Sequence, residues 1–310
     1  MHDSKRSSCF VSEPAQDRYL LQLADGQGWE IIAAEGVQSW VEKLASIMQL
    51  EPCPPDGHPH LVFMRKSLAR DWWSNPASRL TPALDLPEKG WIAHDLRSLQ
   101  LWYHDEVPDV ICEMGDEEDP ELDIVRMWLA LAPVYDQVLE SGGLPLHAAL
   151  MERNGNGVLV LAPGGTGKST CCRRIPPPWT APGDDLALMV KDGQRYRVHP
   201  FPTWSNYLWK SSAITWDVQQ HLPLSALFFL EQSTTDEVLP IRQGQASILI
   251  TESAEQVCQA AWRNLLPDEE RQRKEKLFEN ACALAGTMPT FRLRVSLEGR
   301  FWEEMERVLL

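Results

Sequence analysis

A glycine-rich stretch near the middle of the chain carries residues whose types and spacing could do chemistry. Between Ala162 and Thr170 it reads Ala-Pro-Gly-Gly-Thr-Gly-Lys-Ser-Thr, which meets the phosphate-loop pattern Ala/Gly-x-x-x-x-Gly-Lys-Ser/Thr. Glycines let such a loop turn tightly with its backbone N–H groups around an anion, while the lysine reaches the outer phosphates and the hydroxyl binds Mg²⁺. The residues expected to bind nucleotide are Gly164, Gly165, Thr166, Gly167, Lys168, Ser169 and Thr170, with Ser169 also a metal ligand.

Two adjacent carboxylates, Asp184 and Asp185, follow Pro182-Gly183 just before a predicted strand. A phosphate loop alone binds, whereas transfer to a hydroxyl also needs metal ligands and a proton acceptor. At a turn both carboxylates can reach one site, so one could hold Mg²⁺ and the other could take the proton. The alternative is an ordinary Asp-rich turn, which the nearby phosphate loop makes the weaker interpretation.

His147 and Arg242 complete the set of candidate catalytic residues. We predict His147 on the first strand of a hairpin, beside the strand that enters the loop, where it could orient a carboxylate. A buried core histidine is the alternative. Arg242 follows a strand-like segment and could stabilise the charge on a transferred phosphoryl group, or it could be a surface arginine.

The elements that must position these residues follow from the pattern of apolar and turn residues. Two apolar runs, 144–152 and 158–162, flank Asn154-Gly155, which predicts a β-hairpin whose second strand leads into the loop. After the loop, Pro176-Pro177-Pro178 limits the helix to about two turns. The short helix and the preceding hairpin indicate a variant of the usual phosphate-loop arrangement.

The first hundred residues predict a separate, smaller α/β layer. A hairpin around Asp25-Gly26 precedes a helix from Val37 to Met48, and four short strands follow at 60–64, 91–94, 99–103 and 110–114. An acidic run at 115–119 marks the expected seam, and Asp119-Pro120 opens the next helix. We therefore expect two domains, 1–117, which could bind a substrate or partner, and 118–310, which carries the catalytic residues.

Composition excludes several classes of function. The net charge of −15 disfavours nucleic acid as a partner, because such a field repels a phosphate backbone. Seven cysteines without a C-x-x-C pair argue against a disulfide framework or a zinc site. The sequence shows no signal peptide and no apolar run of membrane-spanning length, so we expect a cytoplasmic protein without membrane contact.

Taken together, the histidine, the hairpin, the loop and the Gly-Asp-Asp turn resemble the catalytic domain of HPr kinase/phosphorylase, a relative of phosphoenolpyruvate carboxykinase. The stretches Leu-Pro-Leu-His-Ala-Ala-Leu-Met-Glu and His-Pro-Phe-Pro-Thr-Trp-Ser also resemble a narrower family, the SynChlorMet cassette protein ScmC, found among genes for modified peptides. The resemblance implies an α/β fold with an HPr-kinase-like P-loop domain on a mixed sheet, plus a smaller N-terminal α/β domain. It also implies that ATP and Mg²⁺ bind.

The resemblance assigns roles to individual residues. Asp184 matches the proton-accepting carboxylate, Asp185 its metal-side partner and His147 the histidine that supports the first carboxylate. Arg242 matches a family arginine only loosely. No Arg-Gly-x-Gly segment follows Asp184-Asp185, so the phosphorylase reaction is not expected, and the unusual N-terminal half makes HPr a poor substrate candidate.

The leading hypothesis is an ATP- and Mg²⁺-dependent kinase that phosphorylates a hydroxyl, most reasonably a serine of a peptide or small protein in a peptide-modification cassette. The alternative is a nucleotide-binding regulator or scaffold without phosphoryl transfer. The sequence leaves open the acceptor, the choice between ATP and GTP, and the oligomeric state.

Overall fold

The computed structural model describes residues 18–34, 36–66, 76–80, 84–117, 119–210 and 213–309. The chain is mixed α/β with two mixed β-sheets, as the sequence predicts for the fold class. The strands are β1 (Arg18–Gln22), β2 (Gly28–Ala33), β3 (His60–Arg65), β4 (Trp91–Asp95), β5 (Leu99–His104), β6 (Val110–Met114), β7 (Leu144–Leu146), β8 (Ala148–Arg153), β9 (Asn156–Leu161), β10 (Thr180–Gly183), β11 (Leu186–Asp192), β12 (Arg195–Phe201), β13 (Leu222–Gln232), β14 (Glu237–Pro240) and β15 (Thr290–Val295).

Eight α-helices and one 3₁₀ turn, Pro76–Arg79, are found in the described part of the chain. The helices are α1 (Gln38–Met48), α2 (Pro120–Leu129), α3 (Ala132–Glu140), α4 (Lys168–Arg174), α5 (Trp204–Lys210), α6 (Gln243–Trp262), α7 (Pro267–Thr287) and α8 (Phe301–Leu309). None of these described helices is both long and apolar enough to cross a lipid bilayer.

The first sheet has six strands in the order β1-β2-β3-β6-β5-β4. Its β1–β2 hairpin turns at Asp25-Gly26, where Gly26 takes the positive φ of 85° that a tight turn needs. Helix α1 buries Trp40, Leu44 and Met48, which are four residues apart in turn, against this sheet. The predicted hairpin, helix and four strands are confirmed.

Two consecutive helices connect the sheets. A carboxylate oxygen of Asp119 accepts hydrogen bonds from the backbone N–H groups of Glu121 and Leu122 at 2.9 and 3.3 Å, so this residue caps α2 as its type predicts. We expected Pro133 to kink one long helix. Instead the helix ends at Leu129, and Pro133 lies in the first turn of α3, where its missing N–H costs nothing.

The second sheet has nine strands, of which seven form the path β10-β8-β9-β13-β12-β11-β7. Strand β13 runs parallel to both β9 and β15. Strands β7 and β8 lie at or next to opposite ends of this path, yet only His147 separates them along the chain. Since successive Cα atoms are 3.8 Å apart, the facing ends of these strands are within about 7.6 Å of each other, and the sheet must curl until its ends meet.

The chain passes a second time between the two ends of this sheet. Asp184 and Asp185 are the only residues between β10, at one end of the path, and β11, next to the other end. The sequence predicted one continuous strand over 144–152 with His147 within it, and this prediction is wrong. His147 forms a bend that lets β7 pair with β11 while β8 pairs with β9.

Buried side chains fill both sides of the curled sheet. One face packs Leu150, Leu159 and Leu227 against Ile250 of α6 and Leu277 of α7. A second cluster is shared between the two sheets and combines side chains of the first sheet and α1 with α2, α3, β11 and β12. The expected domain boundary at residues 117 and 118 remains a prediction.

His199 of β12 is a fully buried link between the two sheets. Its Nε2 accepts a hydrogen bond from the backbone N–H of Ala24 at 3.1 Å, so Nδ1 carries the proton and donates to the carbonyl of Val218 at 2.8 Å. Burial lowers the pKa of His199 to about 4, because a charged imidazolium would be desolvated there. Protonation would also remove the acceptor for Ala24.

We predict that His199 makes the protein less stable in acid. Because its folded-state pKa lies below the unfolded value, its contribution is complete above about pH 6.5 and falls as the pH drops toward 4, by about 3 kcal/mol in total. Urea unfolding between pH 7.5 and 4.5 should show a shallower pH dependence in His199→Gln, which is less stable at pH 7.5, than in the wild type. Equal slopes for the two proteins would contradict the prediction.

Candidate functional site

The glycine-rich loop leaves the end of β9 at Leu161 and leads into α4. Gly165 and Gly167 adopt φ angles of 77° and 118°, a region open to glycine and strained for other residues. A Cβ atom placed on Gly164, Gly165 or Gly167 would meet no atom within 4 Å. The loop therefore presents open backbone on its outer side, which suits an anion lying against its N–H groups.

Lys168 lies beneath this loop and is only 5% exposed. Its Nζ donates a hydrogen bond to the carbonyl of Ala162 at 2.8 Å. Burial lowers the pKa of Lys168, and the negative charges of Asp185 and Asp184 oppose that shift. The positive charge of Lys168 thus interacts with both carboxylates.

The loop is held from the neighbouring strand as well. Gln232, at the end of β13, donates from Nε2 to the carbonyl of Thr166 at 3.0 Å. The following helix, α4, ends at Arg174, so the predicted stop before the three prolines is confirmed. Within α4, Arg173 donates to the hydroxyl of the exposed Thr170 at 3.3 Å, whereas Ser169 is half-buried.

The two carboxylates have different neighbours. Asp184 accepts a hydrogen bond from the hydroxyl of Thr203 at 2.7 Å. Asp185 lies beside His147, with 3.7 Å between its Oδ1 and the imidazole Nε2. The sequence predicted that His147 supports Asp184, and this is wrong, because the bend between β7 and β8 directs the imidazole toward Asp185.

The imidazole of His147 is uncharged in this setting. Burial lowers its pKa and the nearby charge of Lys168 lowers it further, while Asp185 acts in the opposite direction. The separation of 3.7 Å is too long for a hydrogen bond, and Nε2 is buried without a hydrogen-bond partner among the described residues. The nitrogen therefore has unused hydrogen-bonding capacity beside Asp185.

Helix α6 fixes the bend that carries His147. The backbone N–H of His147 donates to the carbonyl of Ser253 at 3.3 Å, and the Ser253 hydroxyl donates to the carbonyl of His147 at 3.2 Å. Both backbone groups of a residue outside the strand ladders are satisfied in this way. Ser253 carried no signal in the sequence, since a serine within a long helix is usually neutral in function.

Arg242 is not brought to this cluster. It precedes α6, eleven residues before Ser253, which places it about 16 Å away at the helical rise of 1.5 Å per residue. The neighbouring Ile241 donates to the carbonyl of Thr290 at the start of β15, which is separated from β9 by β13. The structure thus separates the backbone of Arg242 from the bend at His147, and its contact with a transferred phosphate stays a prediction.

Ser169, Asp184 and Asp185 supply oxygen atoms of the kind that could hold a magnesium ion together with phosphate. Among the described residues no group of three or more His, Cys, Asp or Glu side chains forms a metal cage. Mg²⁺ in nucleotide sites usually takes only one or two protein oxygens and completes its shell with phosphate and water. Ser169 and one of Asp184 and Asp185 are of the right type for that role.

One comparison with known proteins found a match that covers this whole region. A family model described as SynChlorMet cassette protein ScmC matches residues 110–310, which is more than half of the chain and includes every candidate site residue. The comparison with curated proteins found no match.

We predict that removing the Ser253 hydroxyl lowers stability through the bend at His147. Ser253→Ala leaves the carbonyl of His147 without its donor, which should lower the free energy of unfolding by about 1–2 kcal/mol in a urea titration. Ser247→Ala is the matched control, because the hydroxyl of this buried serine donates within the same helix, to the carbonyl of Gln243 one turn earlier. The control should change stability by less than about 0.5 kcal/mol, and equal effects in both variants would contradict the prediction.

Proposed function

Because the chain belongs to the ScmC family of SynChlorMet cassette proteins, we propose that its function is phosphoryl transfer within such a cassette. The protein would move the γ-phosphoryl group of ATP to a hydroxyl, that of a serine in a peptide or small protein. One observation carries the proposal: the glycine-rich loop, buried Lys168, Asp184, Asp185 and His147 meet where the ends of the curled sheet join. A loop that only bound nucleotide would need one carboxylate for Mg²⁺ but neither the second carboxylate nor the histidine.

We further propose that residues 118–310 form a domain of the HPr-kinase type. The supporting features are the hairpin before the loop, the short helix after it, and the histidine and aspartates placed at the same edge of a mixed sheet. The proposed phosphoryl transfer does not depend on this assignment of the fold.

In the proposed reaction the acceptor oxygen attacks the γ-phosphorus of ATP. An O–P bond forms to the acceptor, the bond from the γ-phosphorus to the β–γ bridging oxygen breaks, and ADP leaves with that electron pair. The hydroxyl proton passes to a carboxylate. Lys168 and the loop N–H groups would hold the phosphates in line, and bound Mg²⁺ would neutralise charge on the phosphate oxygens.

The neighbours of the two carboxylates support exchanging the roles that the family resemblance suggests. Asp185 faces the unfilled Nε2 of His147, so a hydroxyl entering there could donate its proton to Asp185 while it contacts the imidazole. Asp184 is held by the Thr203 hydroxyl, and a fixed orientation suits a metal ligand. We therefore propose Asp185 as the proton acceptor, His147 as its positioning residue, and Asp184 with Ser169 as the Mg²⁺ ligands.

Two substitutions test these roles separately. Asp185→Asn should lower the rate of transfer from γ-labelled ATP to a serine peptide by about 100-fold or more, because an amide accepts no proton. Asp184→Asn should chiefly raise the Mg²⁺ concentration needed for half-maximal transfer. The opposite outcome, with the greater rate loss in Asp184→Asn and a shifted Mg²⁺ requirement in Asp185→Asn, would restore the roles first assigned from the sequence.

A binding measurement tests the loop independently of transfer. Saturating Mg²⁺-ATP should raise the melting temperature of the wild type by a few degrees, because a ligand that binds only the folded state stabilises it. Lys168→Met keeps the buried stem but loses the charge and should lose most of that rise, whereas Lys191→Met, on the exposed end of β11, should keep it. A rise without transfer to any acceptor would instead support the nucleotide-binding regulator or scaffold.

A further inference from the structure

A cavity of about 180 Å³ opens beside His147 and Asp185, where α2, α5 and α6 come together. Its walls are mostly apolar. They include Trp128, Pro202, Trp204, Leu208, Gln256 and Val257. Trp204 and Val257 are only 5% and 7% exposed, so this part of the wall is fixed by the core, whereas Gln256 lies on the exposed rim.

The size and lining of this cavity suit a single apolar side chain. A dry cavity of about 150 Å³ lined by apolar groups holds one benzene molecule, so 180 Å³ accommodates an isobutyl or phenyl group. Two indole rings on its walls offer flat apolar surfaces for either group. Asp185 and His147 also line the cavity and place polar groups beside its apolar walls.

The position of the cavity suits binding of part of the acceptor and not of the nucleotide. Lys168 and the loop lie on the phosphate side of the carboxylates, whereas the cavity borders Asp185 and His147 and is not lined by the loop. A nucleotide base could reach it only if the triphosphate passed both carboxylates, which like charge disfavours. A peptide could instead place a hydroxyl at Asp185 and the side chain of an adjacent residue in the cavity.

We infer that this cavity, the acceptor pocket, selects a peptide that carries a leucine- or phenylalanine-like side chain one or two residues from the phosphorylated hydroxyl. The inference rests on the proposed phosphoryl transfer and adds the substrate class to it. Because one apolar group in a fitting pocket discriminates by about 10- to 200-fold, the preference should dominate the choice among short acceptors.

The test uses the full chain with Mg²⁺-ATP and a set of nine-residue peptides. Each peptide has one central serine in a Gly/Asn background, and Gly, Asp, Leu or Phe stands one or two positions to either side. Wild-type kcat/KM should be at least tenfold higher for the best Leu or Phe peptide than for the all-Gly/Asn peptide. A peptide with Asp at the same position should fall to the all-Gly/Asn level or lower.

Three variants connect that preference to the cavity. Gln256→Trp, from the exposed rim, should fill the pocket and reduce the ratio of Leu to Gly peptides to below about threefold. Gln259→Trp lies on the same helix but borders a different cavity and should keep the wild-type ratio. Leu208→Ala enlarges the pocket and should shift the preference from Leu toward Trp in the same position.

The outcomes separate the two proposals. Equal kcat/KM for all peptides, or an unchanged ratio in both Gln256→Trp and Leu208→Ala, would overturn the acceptor pocket while transfer itself stands. A loss of Mg²⁺-ATP affinity in Gln256→Trp, measured by thermal shift, would assign the cavity to the nucleotide base and overturn the inference. Absence of transfer to every peptide, with nucleotide binding retained, would overturn both.

Discussion

The structure depends on one constraint of the second sheet: its two ends must meet within the length of a single residue. His147 alone joins β7 to β8, although these strands belong to opposite ends of the strand path, and only Asp184 and Asp185 join β10 to β11 across the same junction. Residues in such crossings lie outside the strand ladders, so their side chains are not required for packing. At the same time the strands on each side fix their positions. The three ionisable groups therefore meet beside the glycine-rich loop because the sheet closes there.

The electrostatic field at this junction is set by nearby residues and not by the net charge of the chain. The chain carries a net charge of −15, which by itself would repel a nucleotide. Lys168 offsets this field where the phosphates would lie, since it is buried, close to both carboxylates and fixed to the carbonyl of Ala162. Burial and the nearby charge of Lys168 both lower the pKa of His147, so the imidazole beside Asp185 can act as a neutral hydrogen-bonding group. In the proposed reaction this arrangement separates a phosphate side, held by the lysine, from an acceptor side, held by the histidine.

Much of this architecture can be predicted from the sequence, because turns, prolines and apolar periodicity act locally. The hairpin at Asp25-Gly26, the cap at Asp119, the strand before the loop and the short helix after it were all predicted. What could not be predicted depends on contacts between distant segments. The partner of His147 is set by a bend that follows from strand pairing at residues 187–189, and the support from Thr203 and Ser253 comes from other elements.

Helix α6 carries a further consequence. Ser253, which holds the bend at His147, is one helical turn from Gln256 and Val257, which line the acceptor pocket. In the proposed reaction, the position of His147 and the choice of acceptor would therefore both depend on α6, through Ser253 for the histidine and through Gln256 and Val257 for the pocket. Trp128 of α2 and Leu208 of α5 also line the pocket, but they do not hold the bend at His147 as Ser253 does. Substitutions on those two helices could therefore change the choice of acceptor without moving His147. They are the natural positions at which to redesign specificity.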